Sequence, residues 1–132
     1  GYNINVTDEK MRGGVRMNQQ DKEELKRITD TVCSVVDAEK IYLFGSFAYG
    51  VPKADSDFDI YVLLSDHSER PLKAMQKINM ALARMDIRPV DILADTVSSF
   101  YKKSNAPTLE RTISRKGVTL YERTEQLYQT MA

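Results

Sequence analysis

The sequence predicts a small α/β (α+β) domain in which helices pack against a β-sheet. Apolar residues recur at helical spacing over residues 18–36 and 71–85, whereas short apolar runs occupy residues 41–44, 58–64 and 90–93. With 132 residues, the chain can bury one hydrophobic core but not two independent ones. We therefore expect one domain built from interleaved helices and strands.

The N-terminal segment is expected to lie outside this domain. Gly1 is not a natural initiator, so an N-terminal extension over residues 1–16 can be partly foreign to the native chain. Residues 17–132 are then the predicted domain.

Charge and cysteine content limit the classes of function. The chain carries 19 basic and 19 acidic residues, so no net positive field attracts it to nucleic acid or to an anionic membrane. The single cysteine, Cys33, cannot form an internal disulfide and is expected to be a small buried thiol, which fits a cytoplasmic location. No apolar run approaches the roughly 18 residues of a membrane span.

The first elements are predicted to be a helix, a strand and a glycine turn. The helix over residues 18–36 presents one apolar face, which is expected to cover the sheet. Residues 41–44 form a continuous apolar run that ends at Gly45, which favours a strand buried on both faces. Residues 46–49 fit the first turn of a helix, whose unpaired N–H groups could bind a phosphate oxygen.

The next strand, over residues 57–64, carries two carboxylates. Successive side chains of a strand point to opposite faces, so Asp57 and Asp59 project to one side and the apolar residues between them to the other. Residues two apart are about 6.5–7 Å apart at Cα, so flexible carboxylates there can converge on one cation or bridge two. We expect the active site here, beside the glycine turn.

A third carboxylate follows in the predicted strand over residues 90–93, after Arg88 and Pro89 break the preceding helix. Asp91 is flanked by apolar residues in this strand. An acid in an apolar setting is costly unless a cation or hydrogen-bond donors compensate it, so we expect Asp91 to be buried with a partner. The alternative is an edge position that faces water.

The C-terminal part is predicted to add two helices and a strand. Residues 96–103 are predicted to be helical, Pro107 suits the first turn of a second helix that ends near Gly117, and residues 118–121 form a final strand. Residues 102–123 include six basic and two acidic side chains. This segment is either a solvated helical face or a surface that meets phosphates or an acidic partner.

The carboxylates favour a particular chemistry. Asp57, Asp59 and Asp91 offer only oxygen ligands, which suit Mg²⁺ or Mn²⁺ better than zinc, and such ions indicate phosphate chemistry. The sequence contains neither a GxxxxGK[ST] P-loop nor a GxGxxG motif after a strand. A serine hydrolase is also disfavoured, because Ser46 is not in a GxSxG motif and His67, the single histidine, lies in a polar turn.

The turn and the acids together resemble a known family. They comprise a Gly-Ser pair, ten intervening residues, an Asp-X-Asp triplet and a later strand acid, namely Gly45-Ser46, Asp57-Phe58-Asp59 and Asp91. This pattern resembles the DNA polymerase beta-like nucleotidyltransferase superfamily, and specifically its minimal (MNT) members. The resemblance covers roughly residues 18–122 and implies that superfamily's fold, with a small mixed β-sheet.

The resemblance also implies roles for these residues. Asp57 and Asp59 would ligate two metal ions, Mg²⁺ or alternatively Mn²⁺. Asp91 would complete the metal site and help to activate the acceptor hydroxyl. Gly45 and Ser46 would bind the triphosphate of the nucleotide.

One departure from the family pattern concerns a phosphate contact. Many minimal members carry an arginine before the second glycine of the turn, where this chain has Tyr49 before Gly50. Lys53, in the following loop, could supply the missing positive charge.

The implied activity is metal-dependent transfer of a nucleoside monophosphate to a hydroxyl. The donor would be ATP or another nucleoside triphosphate. Similar minimal proteins often act as antitoxins that adenylylate a tyrosine of a HEPN toxin, so the resemblance implies a HEPN-family partner and a type VII-like antitoxin role. The alternatives are transfer to a small molecule such as an aminoglycoside, and a non-catalytic antitoxin that neutralises its partner by binding. Homo-oligomerisation is left open.

Overall fold

The computed structural model describes residues 2–3, 17–53 and 55–124. Helices and strands alternate along most of this part of the chain. In order they are β1 (Tyr2–Asn3), α1 (Gln19–Val35), β2 (Ala38–Phe44), α2 (Ser46–Tyr49), β3 (Phe58–Leu64), α3 (Pro71–Leu82), β4 (Val90–Thr96), α4 (Val97–Lys103), α5 (Leu109–Lys116) and β5 (Val118–Arg123).

The strands form one mixed sheet in the order β1-β5-β2-β3-β4. β3 pairs in parallel with β4, whereas the other neighbouring strands are antiparallel. Because β2 runs against β3, the C-terminal end of β2 lies beside the N-terminal ends of β3 and β4. We call this the turn end of the sheet. The predicted α/β (α+β) class with a small mixed sheet is confirmed.

α1 and α3 cover one face of the sheet. Leu25 and Ile28 of α1 belong to the same fully buried cluster as Ile78 of α3 and Ile60 and Val62 of β3. Burying a side chain of this size contributes about 1.5–3 kcal/mol relative to leaving it exposed, so this layer is the main core. The helix predicted over residues 18–36 and the alternating strand are both confirmed.

α4 and α5 cover part of the opposite face with a smaller aromatic cluster. The Phe100 ring lies 5.7 Å from the Tyr42 ring and 5.1 Å from the Tyr61 ring, measured between centroids. The Tyr61 hydroxyl donates a hydrogen bond to Glu110 at 2.9 Å. Most of this cluster lies farther along β3 than Asp59, and only the partly buried Phe44 packs against it beside Asp59, so this face stays open around Asp59 and Asp91.

Several element boundaries differ from the prediction. β2 begins at Ala38 and β4 continues to Thr96, because both pair with β3 beyond the apolar runs that predicted them. Pro107 does not lie in the first turn of α5, so that prediction is wrong. Thr108 caps this helix instead, and its hydroxyl accepts a hydrogen bond from the N–H of Arg111 at 3.1 Å.

The predicted division into an extension over residues 1–16 and a domain over 17–132 stays a prediction. Residues 4–16 and 125–132 lie outside the described part of the chain, whereas Tyr2 and Asn3 pair with β5. Within the described ranges, no helix combines the length and apolar character needed to cross a membrane.

Candidate active site

Gly45 connects β2 to α2 at the turn end of the sheet. Its φ of 74° and ψ of −151° fall in a region that residues with side chains rarely adopt. A Cβ atom at this position would lie 2.1 Å from Oδ2 of Asp59 and 3.0 Å from its Cγ. The site therefore needs glycine both for its backbone angles and for the close approach of Asp59.

α2 begins directly after this turn, at Ser46, as predicted. The N–H groups of Ala48 and Tyr49 both donate to the carbonyl of Gly45 at 3.0 Å. The N–H groups of Ser46 and Phe47 precede these bonds, at the position where a helix has no internal acceptor for its donors. The turn thus places Ser46 next to the strand end that carries Asp59.

Lys53 lies in the exposed loop between α2 and β3. Its backbone N–H donates to the hydroxyl of Ser56 at 2.7 Å, which fixes this part of the loop shortly before Asp57. Tyr49, at the end of α2, is partly exposed. The role of Lys53 as a phosphate contact stays a prediction.

Asp59 and Asp91 lie side by side on β3 and β4. The parallel register pairs their Cα atoms, and side chains at paired positions of adjacent strands point to the same face. Their carboxyl groups are close enough for protonated Asp59 to donate a hydrogen bond to Asp91. Asp57 is exposed immediately before β3, and its negative charge acts on Asp59. The fold thus brings the three acids to the open part of one face.

The environment of Asp59 disfavours its ionised form. Burial, the hydrogen bond to Asp91 and the negative charges of Asp91 and Asp57 raise the pKa of Asp59 to about 6. A cation beside these carboxylates would offset the repulsion. The oxygen-only donor set and its surplus of negative charge therefore fit a hard divalent ion such as Mg²⁺.

The arrangement of the three acids limits how such an ion could be bound. Among the described residues, no group of three or more His, Cys, Asp and Glu side chains is placed to hold a metal ion. Asp57 and Asp91 are both exposed, so their side chains have room to rotate. Ligation by all three carboxylates would require such a rotation, and the metal site stays a prediction.

The expected burial of Asp91 is wrong. β4 is the edge strand of the sheet, and the layer formed by α4 and α5 does not cover the turn end, so Asp91 is exposed. The alternative of an edge position facing water describes its surroundings correctly. Asp91 nevertheless has a neighbour that matters for chemistry, since it is paired in register with Asp59 and raises the pKa of that carboxyl.

The basic C-terminal segment is not a uniform surface for phosphates. Lys103 pairs with the buried Asp95 at 2.7 Å, and Arg111 donates to two backbone carbonyls of the loop before α5. Arg123 bonds to Glu39 at 2.6 Å and to the neighbouring Asp37. Half of the six basic side chains thus contact groups within the domain.

Arg88 adjoins the site, and the sequence marks it only as part of a helix break. Its guanidinium carbon lies 4.2 Å from the centroid of the Phe58 ring and 5.3 Å from that of Phe47. Its Nη2 donates to Asp21 at 2.6 Å and to Glu24 at 3.0 Å. The two acids are 67 and 64 residues away in the sequence, so no local pattern could reveal these contacts.

Comparisons with known proteins agree with this architecture. Residues 23–126 match the family model described as "Polymerase beta, Nucleotidyltransferase". No curated protein matches the chain. A solved structure described as "Crystal structure of the toxin-antitoxin with AMP-PNP" is similar in fold, with a TM-score of 0.50 and 21% identity over 81% of this chain and 88% of that chain. The family match includes the turn and all three acids.

Proposed function

Because the chain belongs to the polymerase beta nucleotidyltransferase family, we propose that it transfers a nucleoside monophosphate, AMP from ATP, to a hydroxyl acceptor. The observation that carries this proposal is the pairing of Asp59 with Asp91 on the open face of the sheet. The Gly45 turn touches Asp59, and Asp57 lies next to it, so the predicted phosphate and metal contacts would meet at one end of the sheet.

The reaction exchanges a phosphoanhydride bond of the donor nucleotide for a phosphate ester bond to the acceptor. The acceptor oxygen bonds to the α-phosphorus, the bond from the α-phosphorus to the bridging oxygen breaks, and pyrophosphate leaves with that electron pair. Mg²⁺ or Mn²⁺, held by Asp57 and Asp59, would supply the positive charge that favours ionisation of the hydroxyl and stabilises pyrophosphate. Asp91 is exposed at the edge strand, where an incoming hydroxyl can reach it, and would take up the proton.

The turn would hold the donor nucleotide. Backbone N–H groups at the start of α2 and the Ser46 hydroxyl would bind phosphate oxygens, since both types of donor pair well with anions. The absence of a side chain at Gly45 would let a phosphate approach the backbone closely. Lys53 would contribute a positive charge from the loop that follows.

We propose a tyrosine of a HEPN-family toxin as the acceptor, which gives the chain a type VII-like antitoxin role. The similar solved structure is described as a toxin-antitoxin with AMP-PNP, which makes a toxin the first acceptor to test. The exposure of Asp91 on an edge strand also leaves the proposed catalytic centre open to a second protein chain.

Transfer of labelled AMP tests the proposal. The protein is incubated with ATP labelled at the α-phosphate, Mg²⁺ and the protein encoded by the adjacent gene. Label should appear on a tyrosine of the partner, and Asp59→Asn should abolish the transfer. Asp55→Asn is a matched control, because Asp55 is an exposed acid in the same loop as Asp57 and has no assigned role. Equal labelling by the Asp59 variant and the wild type would refute the catalytic assignment.

Two further measurements separate the alternative functions. Label found on an added aminoglycoside, and not on the partner, would indicate a small-molecule acceptor. Protection from the toxin by a variant with all three acids changed to asparagine would indicate an antitoxin that acts by binding alone.

A further inference from the structure

Arg88 lies near the turn end of the sheet, on the face opposite the one that carries the carboxylates. Its guanidinium stacks 4.2 Å from the Phe58 ring, which is fully buried in the core between α1, α3 and the sheet. Because neighbouring side chains of a strand alternate, Phe58 points away from the face that carries Asp59. Arg88 therefore contacts the supports of the site and not the open face where a nucleotide would bind.

Acidic residues of α1 hold Arg88 in place. Its Nε donates to Glu24 at 3.1 Å, its Nη2 donates to both Glu24 and Asp21, and its backbone N–H donates to Glu24 at 2.7 Å. The side chain of Arg88 is 22% exposed, and those of the two acids are 13% exposed. Several bonds to a planar guanidinium fix its orientation as well as its position.

This fixed group connects the segments that carry the site. Phe47 follows Ser46 in α2, and Phe58 lies between Asp57 and Asp59. The two rings also touch each other, with centroids 4.8 Å apart. Arg88 itself lies three residues before Asp91 in the segment that leads into β4. One side chain thus contacts, or is continuous with, the segments that carry Ser46, the two acids beside Phe58, and Asp91.

We propose that Arg88 is a positioning residue for nucleotidyl transfer, and that its contacts with Phe47 and Phe58 hold the turn and the carboxylates in their mutual alignment. It acts through these residues and does not touch the substrate. The kinetic part of this inference rests on the proposed function, whereas the structural part concerns the domain without nucleotide.

The alternative explanation is that Arg88 only stabilises the fold. A substitution at a second arginine, Arg123, serves as the control that distinguishes the two explanations. Arg123 also bridges two acids, Asp37 and Glu39, and its side chain is 25% exposed, but it lies beside the start of β2, at the far end of the sheet from the turn. Replacing either arginine by lysine keeps the charge but removes the planar fork, and at Arg88 it also removes the stacking on Phe47 and Phe58. Both variants should lose stability, but only Arg88→Lys should disturb the site.

Two measurements test this. Hydrogen exchange without nucleotide should be at least threefold faster over residues 44–49 and 57–59 in Arg88→Lys, and unchanged there in Arg123→Lys. In AMP transfer, kcat should fall at least tenfold in Arg88→Lys while the KM for ATP changes less than threefold, and kcat should be retained in Arg123→Lys. Glu24→Gln weakens the contacts that hold Arg88 but keeps the arginine. It should likewise speed exchange at the turn and lower kcat, and it replaces Arg88→Lys in the test if that variant does not fold.

Each outcome bears either on the positioning role of Arg88 or on the proposed nucleotidyl transfer. Unchanged exchange at the turn, or equal kcat in the two arginine variants, overturns the positioning role. A wild-type protein that transfers no nucleotide overturns the proposed function instead, and the exchange measurement still decides whether Arg88 holds the turn.

Discussion

Replacing Gly45 by alanine should reduce activity far more than it reduces stability. A residue other than glycine at φ 74° and ψ −151° costs about 1–3 kcal/mol. For a domain of this length, that corresponds to a fall in Tm of about 3–12 °C. The new methyl group would also lie 2.1 Å from Oδ2 of Asp59, so the carboxylate must move away from the turn. A displacement of about 1 Å at a reacting centre can cost on the order of 100-fold in rate.

Circular dichroism melting and initial rates of AMP transfer measure the two effects separately. Gly117→Ala is the matched control, because its φ of −65° is ordinary and its new Cβ would meet the Ile113 carbonyl oxygen at 2.7 Å, away from the acids. Gly117→Ala should lower Tm but keep the rate within about threefold of wild type. This change is far smaller than the loss of about 100-fold expected for Gly45→Ala. If Gly45→Ala is as active as Gly117→Ala, the contact between the turn and Asp59 does not position the carboxylate.

Other predictions concern pH, reactivity and packing. Because the pKa of Asp59 is raised to about 6 in the folded state, its ionisation destabilises the metal-free protein as pH rises through 6. The unfolding free energy of Asp59→Asn, measured by urea titration in EDTA, should therefore rise relative to that of wild type between pH 4 and pH 7. Added Mg²⁺ should reduce this gain at pH 7. A difference between the two proteins that does not depend on pH would contradict the prediction. Burial, and to a lesser degree Asp30, raises the pKa of the Cys33 thiol to about 11, so alkylation by iodoacetamide at pH 8 should be at least tenfold slower than in urea. Tyr61→Phe should lower the unfolding free energy by about 1–2 kcal/mol, because it leaves Glu110 without its donor; no loss would mean that water replaces that bond.

The parts of the fold that follow from local patterns could be predicted from the sequence. The period of the apolar residues in α1 and the alternation of side chains in β3 depend on neighbours a few positions away, so they assign faces correctly. The apolar run that ends at Gly45 marks a strand followed by a turn for the same reason. These patterns placed Asp57 and Asp59 on the side opposite the main core.

Features set by contacts between distant segments could not be predicted in this way. The burial of Asp91 depends on the position of β4 in the sheet, and an apolar run does not distinguish an edge strand from a central one. The contacts of Arg88 depend on α1 packing beside the loop before β4, with partners more than sixty residues away. The capping of α5 by Thr108 was missed because Pro107 offered an equally ordinary helix start.

The aromatic cluster under α4 and α5 also limits the area of the proposed active site on the open face of the sheet. From Asp57 to Tyr61 the chain rises about 13 Å, and Phe44 of β2, which is paired with Asp59, limits the width to β3 and β4, whose backbones lie about 5 Å apart. A triphosphate with its ions fills such an area, so the base and the acceptor would extend over its rim. Substitutions in the surrounding loops could then exchange one acceptor for another while the carboxylates stay unchanged, which separates the evolution of specificity from that of the chemistry.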